Sequence, residues 1–260
     1  MILYVLITHQ PAREVQAYLE DFERVLPGRH TVVCYGGTRD DFDDLSVSSE
    51  TLFVDDPALR HRAGQSYTRV LGLVHERLVA PDPAYSCVHL MEYDHVVLSP
   101  RYEADLLRIM SDERVGLLAK SASDLTFVNW CHSIDLLDDR ELMERLEDIS
   151  VRDQDVPSVW GALGSGMTIG REALEEFSER AGDLSRYMEA YVPTVVYHLG
   201  YRVLDAPEGA TLFDHLRFGP EFGLEEATRL ARQGALALHP VKDRAVREAL
   251  LAAPRAAEPS

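Results

Sequence analysis

Apolar runs of strand length alternate along this chain with segments whose apolar residues recur every three to four positions. Residues 2–7 are continuously apolar and rich in β-formers, then turn polar at Thr8, His9 and Gln10. Pro11 suits a first helical position, and Val15, Leu19, Phe22 and Leu26 share one helical face before Pro27-Gly28 ends the element. Residues 31–35 form a second apolar run closed by Gly36-Gly37, and residues 51–54 a third that ends in Asp55-Asp56-Pro57. The spacing of Tyr67, Val70, Leu71, Val74 and Leu78 predicts a helix over 66–79. Residues 85–98, YSCVHLMEYDHVVL, hold the fourth strand, which delivers Glu92, Tyr93, Asp94 and His95 to its end.

Further on, the pattern predicts a helix over 100–110, a strand over 115–120 and an acidic helical piece over 138–146. Beyond Trp160 come a Gly-rich turn with Gly161, Gly164, Ser165 and Gly166, then Met167-Thr168-Ile169 and a helix over 171–180. A helix over 189–199, a strand over 201–204 and a short strand over 236–242 complete the chain. Near-continuous apolar strands alternating with helices imply an α/β fold whose sheet is mostly parallel and covered on both faces. With no repeat and no Gly/Ser/Pro-rich linker, residues 1–251 are expected to form one domain and 252–260 a disordered tail. Ligands of such sheets bind outside the carboxyl ends of the strands. The polar switches at Thr8-His9, Asp55-Asp56 and Glu92-Asp94 would therefore line one crevice.

Composition narrows the partners. A formal charge of -18 disfavours nucleic acid and anionic membrane, whose affinity comes from basic contacts. Charge of this sign carries no information on subunit number. The only lysines are Lys120 and Lys242, so a small anionic ligand needs its own local cations. Cys34, Cys87 and Cys131 have no metal-ligand or CxxC spacing and read as reduced thiols of a cytoplasmic protein. The apolar N-terminus lacks a basic region and a small-residue cleavage site and is too short to span a bilayer, so it reads as a first strand.

Acid-x-acid recurs at Asp41-Phe42-Asp43 and Asp153-Gln154-Asp155, where solvated loops explain it. Glu92-Tyr93-Asp94 differs because it follows a buried strand, where a carboxylate needs a cation or hydrogen bonds. Mg2+ or Mn2+ held by one or two carboxylates and ligand phosphates would meet that need, as would pairing with arginines. His239 ends an apolar strand and precedes Pro240, Val241 and Lys242. The Pro turn would fix an imidazole able to take the metal and an ammonium able to take a phosphate, although a structural histidine fits the same four residues. An imidazole ligand tilts the preference toward Mn2+.

Together these segments resemble the GT-A class of nucleotide-sugar glycosyltransferases over residues 1–243. The resemblance lies in order as well as content: a first strand with a polar end, the acidic motif after the fourth strand, WGALGSGM, a Glu-led helix ending in Gly-Tyr-Arg-Val, and a late HPVK. It implies a GT-A-like (Rossmann-like) fold and transfer of a sugar from a nucleotide-diphosphate sugar to a hydroxyl of a small-molecule or soluble glycan acceptor. It maps the firmer metal contact onto Asp94 and the late metal histidine onto His239, with Glu92 standing where the class has its first Asp. It further implies Lys242 near the diphosphate, and Trp160, Gly164 and Ser165 beside donor sugar and acceptor. Thr8, His9, Gln10, Asp55 and Asp56 would flank base and ribose, with Arg62 and Arg69 as candidate phosphate cations. Glu189 corresponds to the base of inverting members, without the neighbouring Asp of their E-D motif. Two alternatives stand beside this: a sugar-1-phosphate nucleotidyltransferase, whose first strand leads into a Gly-rich basic loop that His9-Gln10-Pro11 replaces here, and a silent nucleotide-sugar-binding module.

Overall fold

The first apolar run forms β1 (Ile2–Thr8), buried along its whole length, and α1 (Ala12–Val25) follows Pro11. The computed structural model describes residues 1–56, 59, 63–112, 114–153 and 156–252. Next come β2 (Thr31–Tyr35), α2 (Arg39–Asp43), β3 (Glu50–Phe53), α3 (Ala63–Val74), β4 (Cys87–Glu92), β5 (Val96–Val97), α4 (Arg101–Met110) and β6 (Val115–Leu118). After them run β7 (Ser123–Asp124), α5 (Cys131–Leu137), α6 (Arg140–Ile149), β8 (Trp160–Gly161), β9 (Thr168–Gly170), α7 (Arg171–Arg180) and α8 (Met188–His198). The chain closes with β10 (Arg202–Leu204), α9 (Leu224–Arg232), β11 (Ala237–Leu238) and α10 (Arg244–Ala252).

Seven strands join in the order β10-β6-β9-β4-β1-β2-β3. β3, β2, β1 and β4 are mutually parallel, as are β10 and β6. β9 alone runs antiparallel, wedged between β4 and β6. Apolarity records burial and not direction, so the sequence pattern could not mark this reversal. Side chains of β1 alternate between the faces as pleating requires. Leu3, Val5 and Ile7 pack with residues of α3, α6, α7 and α8, whereas Ile2, Tyr4 and Leu6 meet residues of α1 and α4. This is the α/β arrangement expected, a mostly parallel sheet with helices on both faces.

Local differences from the expected elements have local causes. The helix expected over 66–79 starts earlier, as α3, and continues into a π-turn over His75–Val79. Residues 131–149 split into α5 and α6 because Asp139 caps a new helix, its carboxylate accepting from Leu142 N at 3.0 Å. Asp41-Phe42-Asp43, expected in a solvated loop, lies in α2 behind the Thr38 cap. The terminal strand expected over 236–242 is only the two-residue β11, and α9 and α10 were not anticipated. Ala252 closes α10, while residues 253–260, Arg62, Gln154 and Asp155 lie outside the described residues. Among the described residues no helix is long and apolar enough to cross a membrane.

Candidate active site

Parallel pairing brings the carboxyl ends of β1, β3 and β4 to one edge of the sheet, and the rings of His9 and Tyr93 meet there edge to face at 6.5 Å. Beyond β4 a tight turn, with His95 N donating to Glu92 O at 3.0 Å, sends the chain into β5. β5 pairs antiparallel with β11, Val96 opposite Leu238 and Val97 opposite Ala237. His239 therefore arrives beside Asp94. Its backbone is held on both sides, His239 N donating to His215 O at 3.1 Å and accepting at its carbonyl from Arg217 N at 3.0 Å, while Val241 N donates to Asp94 O at 2.8 Å.

Nε2 of His239 lies 3.3 Å from Asp94 Oδ1 and 3.4 Å from Glu92 Oε2. Its Nδ1 lies 3.0 Å from the carbonyl of Arg217, which can only accept, so the proton belongs on Nδ1 and Nε2 faces the carboxylates. Glu92 turns its other oxygen to the hydroxyl of Tyr67 on α3. Burial opposes a charge on His239, but Asp94 and Glu92 outweigh it and push its pKa up to about 9 in the metal-free protein.

Asp94 Oδ1 is buried and makes no hydrogen bond, because the imidazole approaches within ion-pair distance without alignment. In the metal-free protein the protonated His239 meets this oxygen as an ion pair and not as a hydrogen bond, a place that a divalent ion held by the neutral imidazole would take. The donor atoms of Glu92, Asp94 and His239 all lie within 4.8 Å of one another. A divalent ion with bonds of about 2.1 Å sets neighbouring ligands roughly 3 Å apart, close to the spacings here. Two carboxylates fit Mg2+ or Mn2+, and the imidazole favours Mn2+. The Nδ1 contact to Arg217 O is the outer hydrogen bond that orients a metal-binding histidine.

The Gly-rich turn links this cluster to Glu189 in the first turn of α8. Gly164 N donates to Glu189 Oε1 at 2.8 Å, and Tyr187 OH donates to Oε2 at 2.5 Å. Gly166 N donates to Leu90 O at 2.9 Å, which sets the start of β9 against β4. At φ +87°, Gly166 occupies backbone space that L side chains avoid, and a Cβ there would lie 2.9 Å from Leu216 Cδ1 and 3.1 Å from His95 Cε1. Burial raises the Glu189 pKa, its two hydrogen bonds work against that, and the charge of Glu92 adds to it. Glu92 and His239 both act on Glu189, so the carboxylate shares the field of the metal cluster. A buried, hydrogen-bonded carboxylate with an elevated pKa has the character of a general base.

The other expected site residues divide. Thr8 is only 3% exposed, and its Oγ1 accepts from Gln10 N at 3.1 Å, which shapes the turn after β1. His9 and Asp55 are exposed at the sheet edge. Arg69, largely exposed, lies 3.9 Å from Asp56 as a loose surface ion pair. Ser165 is 3% exposed, and its Oγ sits 3.2 Å from Nδ1 of the buried His95. Trp160 stacks on Tyr197 at 5.0 Å as part of the packing of β8 on α8. Lys242 is exposed and lines a cleft with Gln10, Arg13, Tyr93 and Arg247. Tyr67 and Tyr187 were missed as partners of the key acids, since nothing in helical spacing tells a hydroxyl bound to a carboxylate from an inward-packed ring.

The sequence matches no protein-family profile and no curated protein. Among solved structures it is similar to a mannosyltransferase from Pyrobaculum calidifontis in complex with GDP-Man and Mn2+, at 15% identity and a TM-score of 0.44. That match covers 80% of this chain and 55% of the other, so this chain spans about half the length of that protein. It is also similar to a 4-diphosphocytidyl-2C-methyl-D-erythritol synthase, at 12% identity and a TM-score of 0.45, covering 78% of this chain and 88% of the other.

Proposed function

We propose that this chain is a metal-dependent glycosyltransferase that moves a sugar from a nucleotide-diphosphate sugar to a hydroxyl acceptor with inversion. The observation that carries it is the convergence of Glu92, Asp94 and His239 around a buried oxygen that makes no hydrogen bond, with Glu189 in the same field. Mn2+ or Mg2+ at the three side chains would neutralise charge developing on the departing diphosphate. Lys242 supplies a second positive charge for the phosphates, and His9 and Asp55 border base and ribose. The amide of Gly164 fixes Glu189 beside the donor sugar. Glu189 takes the proton of the acceptor hydroxyl as its oxygen bonds to the anomeric carbon. The bond from that carbon to the diphosphate oxygen breaks on the opposite face and its electron pair leaves with the nucleotide. Residues 1–251 act as one catalytic unit, since the groups involved run from His9 to Lys242.

Nucleotidyl transfer to a sugar-1-phosphate fits less well. Its nucleophile is already an anion that needs no base, and Glu189 would repel it. A melting panel of nucleoside diphosphates with and without Mn2+ tests the proposal. A ligand at about 100 times its dissociation constant adds roughly 2.7 kcal/mol. For a domain of this size that raises Tm by about 5–10 °C if the increment is scaled at roughly 2–4 °C per kcal/mol. No shift with any nucleotide in the presence of Mn2+ would refute the donor site. Release of pyrophosphate from a nucleoside triphosphate and a sugar phosphate, with no diphosphate release from a nucleotide sugar, would favour the nucleotidyltransferase.

A further inference from the structure

We propose that Trp130, His132 and Tyr187 form a platform on which a neutral sugar ring of the acceptor stacks beside Glu189. The proposal rests on the glycosyl-transfer function above and names the acceptor chemistry that the site selects. Trp130 and His132 belong to the start of α5, and Tyr187 immediately precedes α8. The imidazole of His132 lies flat on the phenol of Tyr187, centroids 3.7 Å apart and planes 16° apart. Trp130 meets both rings edge-on, at 5.0 Å and 5.9 Å. The hydroxyl of Tyr187 donates to Glu189 Oε2, so the cluster is joined to the base by one hydrogen bond.

Trp130 and Tyr187 pack against the main core on one side, yet all three rings are only half-buried, so ring surface stays open to solvent. Gly161 lets Leu125 and the Trp130 indole close in on β8: a Cβ there would run into Leu125 Cδ1 and lie 3.2 Å from Trp130 Cζ3. The apolar surface continues outward along the same loop, with Phe127 94% and Val128 48% exposed. An aromatic face takes the C–H face of a pyranose, and an adjacent N–H donates to a ring hydroxyl.

Charge decides which acceptors fit. Asp135 lies 3.8 Å from His132, and Asp138, Asp139 and Glu141 follow on the same stretch. Arg186, next in sequence to Tyr187, is paired with Asp139 and Glu141. An anionic acceptor is therefore repelled, and a neutral glycoside is not.

Trp130 and Trp160 are the two tryptophans of the chain, so Trp160→Phe leaves Trp130 as the sole indole reporter. That variant is titrated with methyl glycosides and short neutral oligosaccharides, with and without nucleoside diphosphate and Mn2+. The expected result is a saturable change in indole emission with at least one sugar, weakened when His132→Ala is added. Stacking energies of 0.5–1.5 kcal/mol convert to a rise in acceptor KM of about two- to tenfold for Trp130→Ala, partly restored by Trp130→Phe. The melting shift of Trp130→Ala with nucleoside diphosphate and Mn2+ should match that of wild type, which loss of fold would not allow. Emission unmoved by every sugar overturns the platform, as does an unchanged acceptor KM in Trp130→Ala. Those results leave the nucleotide melting shift intact, whereas failure of the donor site abolishes that shift and leaves the sugar titration readable.

Discussion

Replacing Glu189 with Gln separates a base from a helix-terminal anchor. In the structure both carboxylate oxygens accept, one from Gly164 N at 2.8 Å and one from Tyr187 OH at 2.5 Å. The glutamine carbonyl can keep the amide, and the Tyr187 hydroxyl can turn to accept from the new NH2 group. What is lost is the charge in two hydrogen bonds, each worth about 1.5–3 kcal/mol when charged against about 1 when neutral. Against this, Gln removes the cost of holding a charge in a buried site. A folded pKa raised by burial means that the carboxyl contributes stability present below its unfolded pKa and lost as pH rises through the folded one. The two effects oppose, so the net change should be about 1 kcal/mol or less, a Tm shift of roughly 2–4 °C. Relative to wild type, Glu189→Gln should gain stability as pH rises. Activity behaves otherwise: loss of a positioned general base lowers kcat by about 10²–10⁴. The assay is nucleoside diphosphate release with donor and acceptor saturating, beside melting curves across pH. Wild type should show an acidic limb above the ordinary glutamate range, where the base protonates, and the variant should lack it. A kcat within about twofold of wild type, limb unchanged, would show that Glu189 only secures the Gly164 turn.

Other perturbations probe the cluster and the turn. Asp94→Asn removes the charge from the buried oxygen and should weaken Mn2+ binding, read by titration calorimetry, by more than the 10–100-fold typical of an outer-shell change; unchanged affinity would remove Asp94 from the metal site. In EDTA, the His239 pKa of about 9 against an ordinary 6.5 contributes stability fully present below pH 6.5 and lost as pH rises through 9, on the order of 3 kcal/mol. Denaturant titrations should show that loss in wild type between pH 6.5 and 9 and a much smaller one over the same range in His239→Gln. Ser165→Ala leaves Nδ1 of buried His95 without its partner and should cost about 1–3 kcal/mol with donor affinity retained. Gly166→Ala combines a strained φ of +87° with a Cβ 2.9 Å from Leu216, and a loss of about 1–3 kcal/mol is expected from urea unfolding.

What the sequence by itself determined is everything that depends on neighbours along the chain. β2 and α7 fall where spacing puts them, because a strand's apolar run and a helix's period of 3.6 are local signals. The acids at the end of β4 stood out for the same reason, since a buried strand that ends in Glu92 and Asp94 breaks a local rule. Distance along the chain limited the rest. His239 was singled out as the end of an apolar strand, but its contact with Asp94 exists only because β5 and β11 pair antiparallel across well over a hundred residues. The reversed β9 and the inward turn of Ser165 likewise follow from packing against β4 and His95, which no periodicity in residues 160–170 encodes. Position along the chain singled out Thr8, but only the folded turn shows that its hydroxyl accepts from Gln10 N. Tertiary structure also supplied what completes the acids: the Tyr67 hydroxyl on Glu92, and the Gly164 amide and Tyr187 hydroxyl on Glu189. Chain pattern says which side chains are buried, but hydrogen-bond partners and charge fields are properties of three-dimensional neighbours. The tertiary fold alone therefore turned two acids and a remote histidine into a cluster able to hold a cation.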